Sequence, residues 1–298
     1  MSLRINNNIA AMNAYRNLSS NDKLMQNSLE KLSSGLRINK AADDAAGLSI
    51  SQGLQAQIGG LTVAGRNAQD GVNVVQIADG ALNESGSILQ RMRDLAVQAA
   101  NGGSQDQSAQ DAAQVEFGQL QSELDRIAST TSFGGQKLLS AATGTPGSGY
   151  KGVFQVGANN TANDQITVDL SAGGVFGAGM TGFDAKGLGV DAASNVKVNS
   201  AVAGQTAFDA IGKIDTAIKN LSNARATLGA YQNRFEHTIN NLNVQVENLT
   251  ASKSAITDTD MAQEMVKFTR SQILSQAGTA MLAQANSAPQ GVLQLLRG

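Results

Sequence analysis

Apolar residues recur in steps of three and four late in the chain: Ile211, Ile214, Ile218, Leu221, Leu228, Phe235, Ile239, Leu242, Val246, Leu249 and Ile256. Only Arg225, Gln232 and Lys253 break the series. A heptad stripe held from 211 to 256 predicts one helix of about 70 Å, several times the common globular length. A second stripe near the start, Leu18, Met25, Leu29, Leu32 and Leu36, closes at a break over 35–39 that suits a helix end. Asp43 and Asp44 follow as an N-cap and first-turn carboxylate for a new helix. Its apolar positions Val74, Ile77, Ala81, Ile88 and Leu95 run until Asn101-Gly102-Gly103-Ser104. A shorter helix through Phe117, Leu120, Leu124 and Ile127 ends at Thr131-Ser132-Phe133-Gly134-Gly135.

Between 137 and 204 the pattern changes. Glycine rises to about a fifth of residues, and Phe154-Gln155-Val156 and Ile166-Thr167-Val168-Asp169-Leu170 alternate like two strands joined across 157–164. This β-rich insert has too few apolar residues for a core of its own and is expected to pack on the helices. The fold expected is mainly α: a long antiparallel helical rod or coiled-coil bundle with a small β-hairpin-rich insert in mid-chain. Three parts are expected: 1–43 with 257–298 as a terminal coiled coil, 44–136 with 205–256 as a helical rod, and 137–204 as the insert.

From Ser271 to Leu296 there is no ionisable side chain. Gln, Ser, Asn and Pro289 make this stretch too polar to span a bilayer, while Leu274, Met281, Leu282, Val292, Leu295 and Leu296 make it too apolar for a solvated tail. Protein on every side is the environment that fits. Composition agrees: charged residues are 15% of the 298, against roughly a quarter in average soluble domains, so the surface is poorly defended against association.

The chemical inventory is short. With no cysteine and one histidine, His237, disulfides, zinc thiolates and conventional triads are excluded, and no catalytic, cofactor or metal site is expected. The formal charge of −2 argues against broad affinity for nucleic acid or anionic membranes, and no 18-residue apolar stretch or secretory h-region is present. Residues 177–182 spell G-x-G-x-x-G, yet Phe183-Asp184-Ala185-Lys186-Gly187 does not open the helix a nucleotide site needs. Asp43 and Asp44, as adjacent residues at a helix start, read as caps rather than an acid–base pair. The N-x-S/T sequons at Asn17, Asn159 and Asn248 read as chance.

Several long motifs in order resemble those of the bacterial flagellins. They are LSSGLRINKAADDAAG (32–47), LQRMRDLAVQAAN (89–101), LGAYQNRF (228–235), SQILSQAGTAMLAQAN (271–286) and VLQLLR (292–297), with FQVGAN (154–159) and ITVDL (166–170) resembling the family's hairpin. The resemblance covers essentially the full length and implies a short flagellin without large outer domains. It implies a subunit that polymerises with itself into the flagellar filament for motility. Export would be unfolded through the flagellar type III system, with a chaperone, a filament cap and hook-junction proteins as partners, to a secreted, extracellular location. The terminal segments would pair to line the filament core, giving Leu18, Met25, Leu29, Leu32, Leu274, Met281, Leu282, Leu295 and Leu296 as assembly residues. Arg91, Leu95, Gln98 and Glu116 match the family's contacts to the flagellin-sensing Toll-like receptor of animals, with Asp94 where the usual motif has Glu. The competing readings are a hook–filament junction protein and a secreted adhesin or enzyme on flagellin-like ends; the central and C-terminal motifs favour flagellin.

Overall fold

The computed structural model describes residues 8–101, 106–140, 150–170, 182–191, 198 and 205–297. Five helices dominate: α1 (Ile9–Ser34), α2 (Ala45–Ala100), α3 (Gln107–Thr130), α4 (Gln205–Thr257) and α5 (Met261–Arg297). Two hairpins lie between α3 and α4, formed by β1 (Ser132–Phe133) with β2 (Gln136–Lys137) and β3 (Tyr150–Gln155) with β4 (Gln165–Leu170). The 211–256 stripe lies within the 53-residue α4, about 80 Å of unbroken helix.

Contacts divide the chain into two units, residues 1–58 with 247–298 and residues 59–246. The cut falls inside α2 and α4, which run on through it.

In the central unit Ile214, Leu221, Leu228, Phe235 and Leu242 are buried at strict seven-residue spacing, while Ile211, Ile218, Arg225, Gln232 and Ile239 flank them half-buried. The facing helix α2 contributes Leu61, Ala64, Ala68, Val75, Leu82, Leu89, Met92, Ala96 and Ala99, again in threes and fours. Ile77, expected on this stripe, is exposed: the buried row is centred on Leu82, Leu89 and Met92, which turns position 77 outward. Two polar clamps set the antiparallel register. The Arg225 guanidinium donates to Asp79 at 2.8 Å and to Asn83 at 3.0 Å, and Arg93 donates to Asp215 at 2.6 Å. Arg225, a gap in the stripe, is thus a bridge to α2.

The insert shares this core. β3 and β4 pair antiparallel with Phe154 opposite Ile166, and Ile166, Val168 and Leu170 alternate inward. Phe154 meets Phe235 edge-to-face, ring centroids 5.5 Å apart, and a Cβ on Gly71 would lie 2.5 Å from the Phe235 ring. Glycine at 71 therefore makes the notch that admits the aromatic pair. The segment around 182–190 is held to α3 by Asp125, which accepts from the Ala185 amide at 2.8 Å, and by Gln121, which donates to the Val190 carbonyl. Of the G-x-G-x-x-G sequence, 177–181 lies outside the described residues, and Gly182–Val190 forms turns rather than a helix. The glycine pair expected merely to stop α3 makes the β1–β2 turn, with Gly134 and Gly135 at φ 57° and 83°.

In the terminal unit α1 ends on Gly35, at φ 71° with its amide bonded to the Lys31 carbonyl. The helix-capping pair is displaced by one residue from expectation. Asp44 caps α2 by accepting from the Gly47 amide at 2.9 Å, whereas Asp43 closes the preceding turn by accepting from the Asn39 and Lys40 amides. That turn meets the α4–α5 junction: the Arg37 amide donates to the Thr257 carbonyl at 2.7 Å, and the Thr259 amide to the Gly35 carbonyl at 2.9 Å. Asp260 then caps α5 through the Ala262 and Gln263 amides.

Candidate functional site

Helices α1 and α5 pair antiparallel, and their seam is unlike that of the central unit. Along α1 a row of half-buried or buried positions runs through Ala11, Ala14, Leu18, Asn21, Met25, Ser28 and Leu32, with Ser19, Asp22, Glu30 and Lys31 half-buried beside it; along α5 the row is Glu264, Phe268, Ser271, Ser275, Gly278, Leu282 and Ala285. The spacing is that of a coiled coil, but most of the residues are small or polar. Specific bonds define the register. Asn8 donates to the Ala285 carbonyl at 2.7 Å, Asn21 to the Ser271 carbonyl at 2.6 Å, Ser275 to Asp22 at 3.1 Å and Ser28 to the Glu264 carboxylate at 2.6 Å. Gly278 leaves room for Leu18, whose Cδ1 would lie 3.2 Å from a Cβ there.

Glu264 is 6% exposed, and Lys267 completes its coordination at 2.9 Å. Burial pushes its carboxyl up, but the Ser28 hydroxyl and the Lys267 ammonium, with Lys31 farther off, outweigh it and hold the group below the usual carboxylate range.

Leu18, Met25, Leu32, Phe268 and Leu282 are half-buried in this seam, but most of the pair's large apolar side chains lie elsewhere. Ile9, Met12, Tyr15, Leu24 and Leu29 on α1, and Met261, Met265, Val266, Ile273, Leu274 and Met281 on α5, are exposed. Met265, Val266, Thr269, Arg270, Ile273 and Leu274 line an open groove on α5. These eleven residues, roughly half-exposed each, would gain about 10 kcal/mol if covered, at about 1 kcal/mol per side chain. An apolar surface on this scale marks an interaction face.

The expected assembly residues therefore fall into two groups. Leu18, Met25, Leu32 and Leu282 are half-buried in the seam; Leu29, Leu274 and Met281 face outward. The side chains of Leu295 and Leu296 lie outside the described residues. The sequence reading missed the seam's own chemistry, since Asn21, Ser28, Glu264 and Ser271 repeat at seven-residue intervals but are polar.

At the other candidate site Arg91 on α2 donates to Glu116 on α3, Nε at 2.8 Å and Nη2 at 2.6 Å to the same oxygen. Both side chains are about half-exposed, and Gln98 is exposed. Leu95 is 2% exposed, part of the core beneath, so the surface on offer there is Arg91, Gln98 and Glu116. His237 is exposed on α4. Among the described residues there is no metal-binding cluster, and no helix is long and apolar enough to cross a membrane.

A two-helix terminal pair that leaves most of its large apolar side chains exposed is the design of a self-associating structural subunit. Residues 5–143 match the bacterial flagellin N-terminal helical region and residues 211–296 the bacterial flagellin C-terminal helical region, and the chain belongs to this family of structural proteins. It is 49% identical to flagellin of Bacillus subtilis over 99% of this chain and 100% of that protein. It is 44% identical to the flagellar filament 33 kDa core protein of Treponema phagedenis over 98% of this chain and 99% of that one. A structure described as a putative flagellar hook-associated protein from Vibrio parahaemolyticus shares the fold, with a TM-score of 0.59 at 14% identity, covering 72% of this chain and 100% of that chain. That likeness is of fold alone, so the full-length identities carry the assignment and nothing favours the hook-junction alternative. The protein is a structural subunit that polymerises with itself into the extracellular flagellar filament.

Proposed function

We propose that α1 and α5 form the filament core lining, each outward apolar face being covered by other copies of the chain. The observation that carries this reading is that the terminal pair buries Asn21, Ser28, Glu264 and Ser271 in its seam while leaving most of its large apolar side chains exposed. We further read residues 1–43 with 257–298 as the functional unit of assembly, with the rod and insert supporting it. The charge-free 271–296 stretch suits both a chaperone's grip before export and burial afterwards, and a chain without cysteine suits passage, unfolded, through the type III channel. Cap and hook-junction proteins would meet the same terminal helices at the filament's ends.

Leu274→Glu tests the central part. A carboxylate placed in a covered apolar face costs on the order of 3–5 kcal/mol per subunit, raising the critical concentration for assembly by roughly 10²–10³ or more. Thermal unfolding of the monomer's central unit should hardly change, because Leu274 belongs to the terminal unit and is exposed in the monomer. Polymerisation at the wild-type critical concentration would overturn the reading.

A second reading concerns the exposed pair on α2 and α3. Arg91, Gln98 and Glu116, supported from below by Leu95, form the proposed contact for the flagellin-sensing Toll-like receptor, with Arg91 already oriented by Glu116. Arg91→Ala should weaken receptor activation by monomer; unchanged signalling would remove the assignment.

A further inference from the structure

Methionine is distributed unevenly over the two units. Met12, Met261, Met265 and Met281 on the terminal pair are 62%, 48%, 50% and 65% exposed and Met25 is half-buried in its seam, whereas Met92 in the central core is 0% exposed. Met12 and Met281 lie near the level of the Asn8–Ala285 bond, and Met261 and Met265 are one turn apart at the start of α5. A thioether is a flexible apolar filler in a packed face, and it is also the side chain most readily converted from apolar to polar without breaking the chain.

We propose that these four methionines are an oxidation site that gates polymerisation. The inference rests on the outward face being the assembly surface. With hydrogen peroxide as oxidant, the sulfur lone pair attacks one peroxide oxygen. An S–O bond forms as the O–O bond breaks, the sulfur is oxidised by two electrons, and the departing hydroxide takes the proton of the new S–OH group, leaving sulfoxide and water. The sulfoxide is a strong acceptor. In free monomer it is solvated and costs nothing; between subunits it is desolvated among Ile, Leu and Val side chains that offer it no donor. Oxidised monomer is therefore excluded from growth, while a methionine already covered in the polymer is shielded from the reagent. The block is reversible, because sulfoxide reductases restore the thioether.

The test treats full-length monomer with hydrogen peroxide, follows each methionine by peptide mass spectrometry, and measures the critical concentration for assembly. Met12, Met261, Met265 and Met281 should oxidise well before Met92, the critical concentration should rise on the order of tenfold or more, and reductase treatment should restore it. A variant with all four changed to Leu keeps the apolar volume; its critical concentration, whatever its value before treatment, should not rise on exposure to peroxide. Oxidation of Met92 as fast as the four, unchanged assembly of oxidised wild type, or loss of assembly in the peroxide-treated Leu variant overturns the proposal. Met281→Glu separates the two levels. If oxidised protein assembles but Met281→Glu does not, only the oxidative gate has failed; if both assemble, the assembly-face reading fails with it.

Discussion

The central unit and the terminal pair use one helical geometry for opposite ends. Both are antiparallel helices with contacts spaced in threes and fours, yet α2 and α4 turn Leu82, Leu89, Met92, Ile214, Leu221, Leu228 and Phe235 inward, while α1 and α5 turn Asn21, Ser28, Glu264 and Ser271 inward. Periodicity alone thus does not say which side of a helix is finished. In the central unit the hydrophobic effect is spent within one chain. In the terminal pair it is held over for contact with other molecules, and hydrogen bonds set the register.

Breaking the central unit should have the largest effect. Phe235→Ala removes a fully buried ring from contact with Phe154 and empties the space above Gly71, and should destabilise the monomer by about 3–5 kcal/mol in chemical denaturation. Filling that space is the complementary change. Gly71→Ala sets a methyl against the Phe235 ring, and should cost about 1–3 kcal/mol by overpacking that neither partner can relieve at the far end of a flexible chain.

Acid sharpens the contrast from the other side. In the terminal unit Glu30 is held below its ordinary range by the Lys40 side chain, Asp43 by the Lys40 and Asn39 amides, Asp258 by the Ser254 and Thr257 hydroxyls, and Glu264 by Ser28 and Lys267 against its own burial. A depressed folded-state pKa means the unfolded chain takes up protons first. The stabilisation is present above the ordinary carboxylate value of about 4 and is lost as pH falls through the lower folded values. Residue-resolved spectra recorded down the pH scale should show the α1–α5 pair loosening before the α2–α4 core. The smallest effect expected is that of Arg225→Ala. Its pair with Asp79 is partly exposed, so stability measured against denaturant should fall by about 1 kcal/mol or less.

The central half of this contrast was legible in advance, and the terminal half shows where legibility ends. The α4 stripe marked a helix and its buried row because a single face there carries nearly all the apolar residues. The first stripe, read as one face, mixes two: Leu18, Met25 and Leu32 meet α5, and Leu29 points away. One helix with apolar residues on both sides offers no internal sign of which side its own chain covers. Leu95 belonged to a motif and looked like a contact residue, but its place on α2 puts it under the surface. The Arg225 clamp depends on residues 142 and 146 positions away, and the Glu264 site on one 236 away, so no local pattern announces either. The polar heptad of Asn21 with Ser28, matched by Glu264 with Ser271, was present in the sequence. It was hidden because a search for apolar periodicity passes over it.

Amide hydrogen exchange, resolved by helix and recorded on monomer and on assembled filament, tests the central claim most directly. The account predicts that α1 and α5 exchange fast in the monomer, because their seam is thin and polar, and become strongly protected in the filament, while the α2–α4 core is protected in both. Terminal helices as protected as the central core in free monomer, or no better protected after assembly, would contradict it.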